Sequence, residues 1–84
     1  MISEERQRIG DTIRKARKEK KITQTQLGEF LGLVGKAKTT VSDYERGKIK
    51  IIPFEKRIRI AKFLNMNFTE LLYENELRVL EFLK

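Results

Sequence analysis

The chain has 84 residues, room for one small domain that needs a well-patterned core, and it contains neither cysteine nor histidine. Disulfide frameworks, zinc fingers and nucleophile–imidazole triads are thereby removed, so metal or covalent catalysis is not expected and no cofactor or small-molecule substrate is called for. Nineteen Lys and Arg against twelve Asp and Glu give a net charge of +7. The excess is uneven: residues 1–52 hold 13 basic and 7 acidic side chains, whereas residues 53–84 hold 6 and 5. A basic half beside a near-neutral one suits a polyanionic partner, nucleic acid or anionic lipid, against the plainer reading of a solvated charged surface. No apolar stretch approaches the roughly 18 residues of a membrane span, and the start Met1-Ile2-Ser3-Glu4-Glu5 lacks a basic-then-apolar leader pattern. The expectation is a cytoplasmic protein with no membrane attachment.

Taken in order, the chain reads as five helices in one unit spanning 1–84, an all-α fold with almost no strand signal outside Ile49 to Ile52. Ser3 with Glu4 and Glu5 opens helix 1, whose Ile9, Ile13 and Ala16 recur at helical spacing up to the basic run Lys18 to Lys21. Thr23 and Gln26 form a capping box for helix 2, with Leu27, Phe30 and Leu31 apolar and Gly32 as its stop. Ala37, Val41 and Tyr44 share a face of helix 3, which Gly47 ends. Pro53 suits the first turn of helix 4, built on Phe54, Ile58, Ala61 and Leu64. Asn67 with Glu70 reads as a capping box for a last helix running to Leu83. Asn67-Phe68-Thr69 also fits a glycosylation acceptor, but without a secretory leader capping is the preferred reading.

The succession Arg17, Thr23-Gln24, Leu27, Leu31-Gly32, Thr40-Val41-Ser42 and Glu45-Arg46-Gly47, continued by Ile60-Ala61, Leu64, Phe68 and Leu72, resembles the phage-repressor (Cro-type, XRE-like) helix-turn-helix family. That resemblance implies double-stranded DNA as partner, with helix 2 across the mouth of the major groove and helix 3 inside it. Gly28 stands where the family usually has alanine, at the crossing of the two helices. Arg17 and Glu45 match positions that form a structural ion pair, with direct phosphate contact by Arg17 as the competing reading. Positions touching base edges correspond to Lys38, Thr39 and Asp43, with Ser42 close by, and phosphate positions to Gln24, Thr40, Arg46, Lys48 and Lys50.

The residues themselves support that surface. If helix 3 buries Ala37, Val41 and Tyr44, a step of about 100° per residue turns Lys36, Thr39, Ser42, Asp43 and Arg46 outward. Lysine suits guanine acceptors, Thr and Ser a groove edge or thymine methyl, and Asp the cytosine amino group. A salt bridge from Asp43 to Lys36 or Arg46 is an equal alternative to base contact.

Between Gly32 and Thr40 the chain carries three residues more than the family spacing. They lengthen either the turn or helix 3, and a start near Gly35, which adds Lys36 to the groove side, is the preferred reading. The segment fails as a phosphate-binding loop, because Phe30 and Ala37 occupy the positions that need glycine and a hydroxyl.

If residues 68–83 form one helix, Phe68, Leu71, Leu72, Val79, Phe82 and Leu83 face the domain, and Tyr73, Leu77 and Leu80 form a second stripe for a two-fold dimer. A break near Asn75 is the alternative. The resulting expectation is a sequence-specific, non-enzymatic transcriptional regulator, a repressor-type homodimer on a palindromic operator. An antitoxin or a protein-interaction module with the same fold is the rival.

Overall fold

The computed structural model describes residues 3–83, and in it each of the first two helices opens on the cap its sequence supplies. Ser3 Oγ accepts the Arg6 N–H at 3.1 Å at the start of α1 (Glu4–Glu19), which carries Glu4 and Glu5 in its first turn and Arg17 and Lys18 in its last, complementing the helix dipole. Thr23 Oγ1 accepts from Gln26 N–H at 3.0 Å, and Gln26 Oε1 accepts from Thr23 N–H at 2.8 Å, a reciprocal box that opens α2 (Gln24–Phe30). Next come α3 (Ala37–Glu45), α4 (Phe54–Phe63) after Pro53, a 3-10 turn at Phe68–Leu71, and α5 (Glu74–Phe82). Five α-helices and no strand are present among the described residues.

The first four helices also end alike. One residue in the left-handed region follows the C-cap of each: Lys21 after α1, Gly32 after α2, Gly47 after α3 and Asn65 after α4, with φ of 57°, 79°, 71° and 51°. Behind each runs the paired hydrogen bonding of a Schellman motif, as in Lys21 N–H to Lys18 O at 3.0 Å and Ile22 N–H to Arg17 O at 3.1 Å. These sharp stops let short helices turn back onto a shared core of Ile9 and Ile13 from α1, Leu27 and Leu31, Val41 and Tyr44 from α3, Ile60, Ala61 and Leu64, and Leu71 with Tyr73.

Two expectations are corrected. Helix 3 does not gain a turn: α3 begins at Ala37, and Lys36 is its N-cap with φ −131° and ψ 14°. The extra residues lengthen the turn, because Gly32 and Gly35 both take positive φ and Leu33 N–H is spent on Gly28 O, so no helical backbone can start at Gly35. Val34 at the tip of that turn is 93% exposed.

Nor is the C-terminal segment one helix. Leu72 and Tyr73 are extended, with ψ of 140° and 160°. The break lies two residues before Asn75, and Arg57 on α4 explains it. This arginine is 1% exposed; its Nε donates to Ile52 O at 2.9 Å, its NH1 to Leu71 O at 3.0 Å, and its two terminal nitrogens to the Glu76 carboxylate at 2.6 and 2.9 Å. A continuous helix would engage the Leu71 carbonyl internally and leave a buried guanidinium short of an acceptor. Arg8 of α1 takes two more carbonyls of the break, Glu70 O at 3.3 Å and Leu72 O at 2.9 Å. Asn67 caps through Thr69 N–H at 3.0 Å, so the cap opens the 3-10 turn rather than a box with Glu70.

Candidate nucleic-acid interface

The α2–α3 pair is held at unusually close range by Gly28. A Cβ built there would lie 2.5 Å from both Cα and Cβ of Ala37, so only glycine permits the crossing as it stands. Gly10 plays the same part between α1 and α3, since its Cβ would meet Glu45 O at 2.5 Å. The sequence reading identified the first contact and missed the second; a glycine inside an amphipathic helix, flanked by the buried Ile9, was the available signal.

One carboxylate ties all three helices together. Glu45, at the last position of α3 and 3% exposed, accepts from Arg17 Nε at 2.6 Å and Arg17 NH2 at 3.1 Å, and from Gln24 Nε2 at 3.1 Å. Arg17 NH1 donates also to Ile22 O at 2.8 Å, so the guanidinium is spent on the fold. Gln24 keeps one amide N–H for another acceptor. Beneath α3, Tyr44 is buried, and burial, with Tyr73 nearby, pushes its pKa above 10, leaving a neutral phenol.

With Ala37, Val41, Tyr44 and Glu45 buried, α3 turns a polar face to solvent. Thr39 and Arg46 are exposed and Ser42 and Asp43 half-buried on that face, while exposed Lys38 and half-buried Thr40 stand at its flanks. Asp43 has no ion-pair partner among the described residues, so neither Lys36 nor Arg46 occupies it. Lys36 is exposed at the leading end, in the turn rather than on the helix. Lys48 and Lys50 are exposed in the connection after Gly47, anchored where Lys48 N–H donates to Asp43 O and Lys48 O accepts from Arg6 NH2, each at 3.0 Å. The third group, Tyr73, Leu77 and Leu80, is not a common stripe: Tyr73 is buried and its hydroxyl accepts the Ile52 N–H at 2.8 Å, Leu77 is half-buried, and Leu80 is exposed.

The loop carbonyls at the end of α2 are held from α4. Lys56 Nζ donates to Leu31 O at 2.8 Å and Arg59 NH2 to Phe30 O at 2.7 Å, with Phe30 and Phe63 stacked at 4.2 Å between ring centroids. The long turn therefore departs from a braced base. Lys56, Arg57 and Arg59 were not singled out by sequence reasoning, because a basic side chain on an amphipathic helix reads as surface unless its acceptors are known.

Two short helices locked at a glycine crossing, the second with a polar outer face between cations, constitute a helix-turn-helix DNA-binding domain. A model of the helix-turn-helix family matches residues 13–71, from the core Ile13 of α1 through the 3-10 turn. The chain belongs to this family, in its Cro/XRE type, whose function is DNA-binding regulation. No curated protein matches it. No helix among the described residues is long and apolar enough to cross a membrane, and no cluster of metal-ligating side chains occurs among them.

Proposed function

We propose that the protein is a cytoplasmic, sequence-specific transcriptional repressor that binds a palindromic double-stranded operator as a homodimer. The observation that carries sequence-specific binding is the outer face of α3, polar and free of carboxylate–cation pairing, on a helix whose opposite side is core. Thr39, Ser42, Asp43 and Lys38 are the base-reading set, with Lys36 at the leading end, where recognition helices present their N-terminal residues to base edges. Gln24, Thr40, Arg46, Lys48 and Lys50 are the phosphate set, which holds register and makes binding salt-dependent.

Dimerisation is supported by α5, which exposes Val79 (59%), Leu80 (42%), Phe82 (88%) and Leu83 (74%). The proposed interface is accordingly this face, with Leu80 retained and Tyr73 and Leu77 assigned to the monomer. Two copies joined there would present two α3 helices to half-sites about 34 Å apart. Selection of bound oligonucleotides from a random duplex pool tests the reading: a two-fold symmetric site should be enriched. No enrichment, together with weak binding to random duplex at low salt, would refute it.

A further inference from the structure

The basic run Lys18 to Lys21 is the feature of the sequence that the surface described above leaves unused. Lys18 and Lys21, with Arg14 one turn earlier on α1, line an open cleft of about 690 Å³ shared with Gln24 and Thr25 from the start of α2 and Lys38 from α3. No carboxylate lines the cleft. Four of its five cations, Arg14, Lys18, Lys21 and Lys38, have no ion-pair partner among the described residues, whereas the fifth, Arg17, is taken by Glu45. Like charge gathered around a polar floor without counter-charge is a field that an anion can relieve.

Lys21 carries a second, independent sign. Of the four left-handed residues that stop α1 to α4, Gly32, Gly47 and Asn65 are the types for which that conformation is inexpensive, and Lys21 alone is not. Glycine would serve the α1 stop better as backbone. Lys21 holds this conformation at a cost in backbone energy, with its side chain exposed.

We infer that this cleft seats a backbone phosphate of one DNA strand, with Lys21 as its principal cation and Arg14 and Lys18 beside it. The nine residues of α3 span about 13.5 Å, close to the major-groove width of about 12 Å. Lys38, in the first turn of α3, marks the end nearest the cleft, and Arg46, Lys48 and Lys50 lie at and beyond the other end, so Arg14, Lys18 and Lys21 on one side and the second set on the other would hold the two walls of the groove, with Lys38 left to the bases. The inference rests on the DNA-binding reading above and extends it to residues of α1.

The test measures binding of the full chain to a random-sequence duplex over a range of salt, alongside thermal unfolding. Lys21→Gly should raise the unfolding midpoint yet lower the slope of log K against log salt by about 0.9, the value of one phosphate contact. Arg14→Ala with Lys18→Ala, which touches no strained backbone, should lower it too, by no more than about 0.9 because these cations share one phosphate with Lys21, without changing the preferred bases. Arg46→Ala is the control. If Arg46→Ala lowers the slope while the folded cleft variants leave it unchanged, the cleft inference fails and DNA binding stands. If the unaltered protein binds no duplex at low salt, both fail together. A lowered midpoint for Lys21→Gly would overturn the assignment of Lys21, leaving Arg14 and Lys18 to decide the cleft.

Discussion

Glu45 is the residue whose removal should reveal most about how α3 is held against α1 and α2. Truncation to leucine deletes the acceptor of three hydrogen bonds and strands the Arg17 guanidinium, whose side chain is 10% exposed, with Ile22 O as its remaining partner. Breaking a buried pair from one side costs about 3–5 kcal/mol. Stability near 0.05–0.15 kcal/mol per residue gives an 84-residue chain about 4–13 kcal/mol, so Glu45→Leu should remove roughly a quarter of it or more. Arg17→Met leaves Glu45 with Gln24 alone and should cost a similar amount. Removing both charges together should return stability to within about 1 kcal/mol of the parent, since most of each single penalty is an uncompensated charge in a site of low polarity. Equilibrium urea unfolding of the parent, both single variants and the double closes the cycle. A double variant that loses the sum of the singles, or singles below about 1 kcal/mol, would refute the argument.

Gly28→Ala should destabilise the fold by about 1–3 kcal/mol through overpacking against Ala37, outweighing a helix-propensity gain of about 1 kcal/mol at most; a raised unfolding midpoint would show the crossing to be more tolerant. The Arg57 hydrogen bonds hold the Glu76 carboxyl below its ordinary pKa of 4.5 against opposing desolvation, so its contribution is full above that value and lost as pH falls through the depressed one. Acid titration of stability should therefore be shallower for Glu76→Gln than for the parent below about pH 5, and parallel curves would contradict the assignment. Val79→Asp with Leu80→Asp should convert a dimer to a folded monomer in sedimentation, and an unchanged mass would remove the proposed α5 interface. Thr39→Ala should alter the preferred bases while Arg46→Ala weakens all duplexes and flattens the salt slope; equal losses on every sequence for both would abolish the division of roles.

Helix periods, caps and the order of motifs lie in local sequence. Ser3, Thr23 and Gln26, Gly32 and Gly47 act on backbone groups a few residues away, so the ends of α1 and α2 and the stop of α3 were largely legible, and so was the glycine at the α2–α3 crossing. The four-residue cluster of charged and apolar partners around Arg57 was not. Its acceptors come from residues 5 to 19 positions distant, and nothing in a helical period states that a lysine- and arginine-bearing helix buries one cation among Ile52, Leu71 and Glu76. That single burial decided that the C-terminal segment breaks at Leu72 and Tyr73, moved Tyr73 from surface stripe to core, and left Val79, Phe82 and Leu83 exposed. Similarly, the extra residues before α3 could lengthen helix or turn with equal respect for periodicity. The positive φ of Gly32 and Gly35 placed them in the turn, because packing of Gly28 on Ala37 sets where α3 can begin. Sequence alone determined that a basic, all-helical chain of the helix-turn-helix family is encoded here; which of its cations face outward was decided by tertiary partners that satisfy the others.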